Sequence, residues 1–167
     1  MSRSGYSDEC DGWALIRWRG AVKQAIRGAR GQAMLRELVQ ALDALPDHRL
    51  AADSLVTPDG DYCTLGALGR ARGMDMAEID PEDREAVAQA FGVAEALAAE
   101  IMWLNDEMHD DFGGYVDVEI CGPMRPHRFE RHRRTVRIRN ERAEEVRWAR
   151  MRQWALDNIR RDDEVSP

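Results

Sequence analysis

The stretch from Asp11 to Leu45, DGWALIRWRGAVKQAIRGARGQAMLRELVQALDAL, decides the fold. Leu15, Trp18, Val22, Ala25, Ile26 and Ala29 recur at steps of three and four, the period of a helix with one buried face. From about Gln32 the pattern returns as Leu35, Leu38, Leu42 and Leu45, and Pro46 ends it. The joint from Gly28 to Gly31 is short enough to fold the two helices into an antiparallel hairpin. Gly20 and Gly28 weaken the first helix by up to about 1 kcal/mol each relative to alanine, a cost that close packing would explain. At 100° per residue, Arg19, Lys23, Arg27 and Arg30 fall together on another face of that helix.

Outward from this pair the helical pattern continues with two interruptions. In residues 49–63, Leu55-Val56-Thr57 and Tyr62-Cys63 flank Pro58-Asp59-Gly60-Asp61, a turn that predicts a small β-hairpin. Thr64 is placed to cap a short helix over Leu65–Arg72, stopped by Gly73. Asp80-Pro81-Glu82-Asp83 reads as a helix start, with a capping Asp and Pro at the first helical position. That helix runs to about Phe91, Gly92 breaks it, and another covers Val93 to about Met108. A last helix spans roughly Glu141 to Arg160, with Trp148, Met151, Ala155 and Ile159 as its stripe. Between them, residues 115–120 and 135–139 alternate at period two around Gly122-Pro123-Met124-Arg125-Pro126. They predict a two-stranded β-arm, 109–140, inserted before the last helix. The expected fold is therefore mainly α: a compact single helical domain over residues 1–167, with two small β-hairpins.

Composition narrows the function classes. A chain of 167 residues with 44% apolar residues can bury a core without disulfides or metals. No apolar run approaches the roughly 18 residues that span a bilayer, and the first residues lack an apolar signal core. Three scattered cysteines form no even framework, so a reducing cytosol is the expected compartment. The net charge is −7, yet residues 125–139 alone carry +6. An acidic bulk opposes nonspecific nucleic-acid binding, because steering follows the summed field; local basic patches can still contact phosphates. Lys23 is the only lysine among 24 basic residues. Arginine suits bidentate recognition of carboxylate and phosphate, although a GC-rich genome produces the same bias.

Each candidate site stands beside a plainer explanation. Ala88 to Gly92 has helix-turn-helix spacing, but the would-be reading helix, residues 94–100, presents alanines and acids where base readers need Arg, Lys, Asn or Gln. Cys63 precedes a helix N-terminus, which can activate a thiol; a buried structural thiol is the simpler account, and His48, His109, His127 and His132 have no special spacing to it. Asp106, Glu107, His109, Asp110 and Asp111 lack metal-loop spacing and fit a solvated helix end. Trp18 and Trp148 fall on core stripes, whereas Trp154 lies off its stripe and could face a partner. No catalytic constellation, metal set or cofactor motif is evident.

One resemblance is long enough to be specific. Gly5-Tyr6-Ser7-Asp8, the run Trp13 to Val22, Ala25-Ile26-Arg27-Gly28, Arg30-Gly31-Gln32 and Leu35-Arg36-Glu37-Leu38 resemble small proteins encoded by tailed phages and prophages. Cys63 to Gly73, Asp80 to Asp83 through Phe91-Gly92, Asn105-Asp106-Glu107 and the Trp148–Trp154 helix extend it. The resemblance implies a genome context and no mechanism; the arm looks like an insertion relative to that group. The expected function is a non-enzymatic phage accessory protein. It would bind a host protein or protein–nucleic-acid complex in the host cytosol, with no membrane partner, and inhibition of a defence system is one form such binding takes. Expected contacts are Arg19, Lys23, Arg27, Trp154 and the arm arginines Arg125, Arg128, Arg131, Arg133 and Arg134. A nucleic-acid-binding module and a Cys63-dependent enzyme are the alternatives.

Overall fold

The computed structural model describes residues 3–4, 12–108, 112–119 and 133–160. The fold is mainly α with a small β component. In order come α1 (Gly12–Arg27), α2 (Ala29–Asp43), α3 (Thr64–Ala71), α4 (Arg84–Phe91), α5 (Glu95–Asp106), β1 (Phe112–Glu119), β2 (Arg133–Arg139) and α6 (Ala143–Asn158). Two compact units result: residues 1–109 with 144–167, and residues 110–143. Among the described residues no single helix is long and apolar enough to cross a membrane.

The first unit is built around α2. Met34, Leu35, Leu38 and Leu42 are fully buried, and Leu65 and Leu68 of α3, Ile101 and Met102 of α5 and Met151 of α6 complete the same core. Burying side chains of this size contributes about 1.5–3 kcal/mol each. The α1–α2 joint is tighter than its glycines suggest, since Gly28 alone separates the helices. A Cβ on Gly31 would meet the Ala25 carbonyl oxygen at 2.0 Å, so only glycine lets α2 begin against the last turn of α1. α1 itself is peripheral: Val22 is buried, Leu15, Trp18, Ala25 and Ile26 are half-buried, and Trp13 and Ile16 face outward.

Three local expectations are corrected. The 55–63 segment makes its turn, with the Thr57 N–H on the Asp61 carbonyl, but its flanks form a single bridge between Val56 and Tyr62. No hairpin strands develop because Cys63 leaves the ladder at once to cap α3. Its sulfur accepts the Gly66 N–H at 3.4 Å. Cys63, not Thr64, is therefore the cap; the Thr64 hydroxyl turns inward and donates to Asn105 Oδ1 at 2.7 Å. Asp80-Pro81 starts no helix either. The Asp80 carboxylate closes a turn onto the Glu82 N–H, and Asp83 caps α4 by accepting the Glu85 and Ala86 N–H groups. Two capping aspartates compete three residues apart, and the second wins.

The second unit pairs β1 and β2 antiparallel, with Val116 opposite Val136 and Asp117 opposite Thr135. Alternation sorts the ribbon into two faces. One carries Val116, Val118, Val136 and Ile138. The other joins Thr135 to Asp117 by a 2.7 Å hydrogen bond and sets Arg137 6.0 Å from the Tyr115 ring centre.

Candidate functional site

Arg19, Lys23 and Arg27 stand four residues apart on α1, so they form one row along the helix. Val22 and Ile26 lie beside them. The end of α6 faces this row with Trp154, Asp157, Asn158, Ile159 and Arg160. Together with Gln32 of α2 and Glu100 of α5 they enclose an open cleft of about 680 Å³.

One side chain fixes the geometry. Gln32, 7% exposed, donates from Nε2 to the Ile26 carbonyl (2.8 Å) and to the Asn158 carbonyl (2.9 Å). Its Oε1 accepts the Arg160 N–H at 2.7 Å. The final carbonyls of a helix lack partners within the helix, and here a residue in the first turn of α2 satisfies one of them at the end of α1 and one at the end of α6. The negative ends of two helices then lie beside Arg27 and Arg160, a favourable placement for cations. Asn158 Nδ2 closes the α6 turn on the Trp154 carbonyl at 2.8 Å.

The cleft's charges are unequal in their commitments. Glu100 Oε2 accepts the Trp18 indole N–H at 3.1 Å, and Asp157 Oδ1 accepts from Gln153 at 2.7 Å. Arg19, Lys23, Arg27 and Arg160 have no ion-pair partner among the described residues. Elsewhere in the same unit Arg72 pairs with Glu37, Arg84 with Glu95 and Arg152 with Asp43. The cleft thus gathers four uncommitted cations around a half-buried indole, against two carboxylates that already accept hydrogen bonds.

Of the residues singled out in the sequence, Arg19, Lys23, Arg27 and Trp154 meet in this cleft. Trp154 also packs against the core, so it offers an edge rather than a free platform. Arg133 and Arg134 lie on β2 of the other unit, opposite Glu119 and Val118. Arg125, Arg128 and Arg131 are outside the described residues. Gln32 carried no sequence signal, because its reach to two helix ends depends on tertiary packing. Arg160 entered the sequence reading only as the end of the last helix.

The remaining candidates are absorbed by structure. Leu97, Ala98, Ala99 and Ile101 of α5 are buried, so the helix that would have read DNA belongs to the core. Burial is the largest influence on Cys63 and pushes its thiol up from the ordinary 9.0, outweighing the lowering by Arg3 and the Gly66 N–H. His48 stacks on Trp148 at 4.1 Å, and His109, His127 and His132 lie outside the described residues.

Asp106, read as part of a solvated helix end rather than as a metal ligand, instead has a buried side chain, 3% exposed, because it accepts from Arg3 Nε (2.9 Å) and Nη2 (2.6 Å); Glu107 accepts from the Ser4 hydroxyl. Among the described residues no group of His, Cys, Asp and Glu is placed to hold a metal. Beside Asp106 lies a network that composition did not announce. Asn105 binds the Thr64 N–H and hydroxyl and donates to the Ala51 carbonyl. Arg147, 1% exposed, donates to the Asn105 carbonyl (2.8 Å) and the Leu50 carbonyl (2.6 Å). Compared with family models, curated proteins and solved structures, the chain matches none of them.

Proposed function

We propose that the chain is a non-enzymatic accessory protein that docks on a host macromolecular complex through the cationic cleft between α1 and α6. The observation that carries this reading is the set of four uncommitted cations around Trp154, held in place by Gln32. Such a rim selects partners by charge complementarity and raises association rates. The apolar floor of Val22, Ile26 and Ile159 supplies the desolvated contact that charge alone lacks. The resemblance to phage-encoded proteins supports a partner in the host cytosol, including a defence complex. The buried Cys63, with its raised thiol, supports no nucleophilic role.

The experiment is a pull-down on immobilised protein from host lysate, with Arg19→Glu/Lys23→Glu as the matched variant. Loss of a specific partner from the variant, at unchanged helical circular dichroism, is the expected result. Equal recovery by both proteins would remove the cleft from the interface.

A nucleic-acid reading is favoured by one feature, an indole among cations, the combination that grips single strands. It predicts affinity falling with salt at a log–log slope of about −0.7 per phosphate neutralised. The acidic bulk of the molecule ranks it second.

A further inference from the structure

We infer that the outer edge of β2 takes up an extended acidic segment of a partner protein as a third strand. The inference concerns the second unit alone and does not depend on the cleft. Among the described residues the sheet is a two-stranded ribbon, so β2 pairs with β1 on one side and with no strand on the other. Such an edge offers a row of backbone donors and acceptors to an incoming chain. Six of the seven β2 residues are exposed, and Val136 is half-buried. Two strands alone are marginal in water, and a third strand over an apolar face is what makes a small sheet stable.

Side-chain chemistry selects the strand that fits. Successive residues point to opposite faces, and alternate ones stand about 7 Å apart along the strand. Arg133, Thr135, Arg137 and Arg139 therefore line one face of β2, and Arg134, Val136 and Ile138 the other. Residues directly opposite on neighbouring strands interact, favourably for opposite charges and unfavourably for like ones. The strand that fits places acids beside the first row and apolar side chains beside Val136 and Ile138. β1 already pairs with β2 in this pattern: Tyr115-Val116-Asp117-Val118-Glu119 sets Glu119 opposite Arg133 and Val116 opposite Val136. Ile138 is 43% exposed and Val116 38%, so an apolar row on the added strand extends a strip still open to water. The outer edge of β1, with Asp117 and Glu119, repels the same acidic segment, which directs it to β2. Recognition then combines main-chain pairing with an alternation of acidic and apolar residues, as when extended peptides add to sheet edges.

The probe is a fluorescein-labelled octapeptide of alternating valine and glutamate, titrated into the full-length chain by anisotropy and by amide NMR. It should bind, shift the amides of residues 133–139 and weaken as salt rises. A peptide of the same composition with its four valines and four glutamates in separate blocks should bind about tenfold less tightly, having lost several cross-strand matches. Equal affinities of the two peptides would overturn the inference. Arg133→Ala should weaken the alternating peptide about threefold, the size of one cross-strand charge pair; an unchanged affinity would remove β2 from the contact.

The backbone supplies the second arm. In an extended chain the N–H groups of alternate residues point to opposite edges. N-methylating the valines therefore blocks one edge of the peptide, and N-methylating the glutamates blocks the other. One methylated peptide should bind like its parent and the other should not bind. The same behaviour in both would overturn strand addition. Shifts confined to the α1 amides of residues 19–27 would overturn it too, assigning the acidic peptide to the cleft. An oligothymidylate that shifts residues 133–139 at concentrations where the peptide does not would overturn it in favour of nucleic acid. Absence of any peptide binding would sink the β2 site and leave the cleft to its own pull-down.

Discussion

Arg147 and Arg27 belong to the same unit and do opposite things. Arg147 is sealed in the core and spends its guanidinium on the Asn105 and Leu50 carbonyls, tying α6 to α5 and to the loop after α2. Arg27 stands exposed in a row of cations, with no ion-pair partner among the described residues. The same side chain is structural where its donors are spent on backbone carbonyls, and available where they are not. An arginine-rich composition alone therefore says little, and the partners of each guanidinium decide.

The comparison breaks most sharply under truncation. Arg147→Ala should leave two buried carbonyls unpaired and cost about 3 kcal/mol or more, whereas Arg27→Ala should stay within about 0.5 kcal/mol. Urea unfolding of the two variants checks this, and similar midpoints would erase the distinction.

Gly31→Ala probes the frame of the cleft without touching its charges. The added methyl collides with the Ala25 carbonyl, and relieving such overpacking costs about 1–3 kcal/mol. The variant should melt earlier, and its α1 amide resonances should shift; an unchanged melt would mean that α1 yields freely.

Cys63 adds a pH term to the core side. Its folded pKa lies above the ordinary value, so its contribution is complete below that value and is lost as pH rises toward the folded one. Stability should decline above about pH 9 by up to about 1.4 kcal/mol per pH unit, and Cys63→Ala should flatten that limb. Denaturant titrations from pH 7 to 10 decide it.

The smallest effect belongs to the surface pair. The Arg152 hydrogen bond holds the Asp43 carboxyl below its usual range. Its stabilisation is present above about pH 4 and fades as pH falls through the lowered value. With the two side chains 33% and 44% exposed, Asp43→Asn should cost well under 1 kcal/mol. A larger loss by thermal melting at pH 7 would mean that this pair is not an ordinary surface bridge.

Helical periodicity made α2 and α6 readable, because Leu35, Leu38, Leu42, Met151 and Ala155 repeat the burial they obey. It overstated α1, whose stripe is real but covers the edge of a core centred on α2. Boundaries failed where two capping groups compete: Cys63 against Thr64, and Asp83 against Asp80. The cationic row was visible because it lies on one helix. The opposing wall, and the use of Gln32 and Arg147 to tie distant backbone, arise only when elements far apart in sequence meet.

Gln32 has one more consequence. Because it already fixes the ends of α1 and α6, a partner docking as proposed would meet walls whose backbone order was established during folding. The entropy of arranging the site is charged to the fold rather than to association. On the proposed docking, a modest set of contacts would then give a long-lived complex, and loosening this one amide would shorten the residence time without removing any cation.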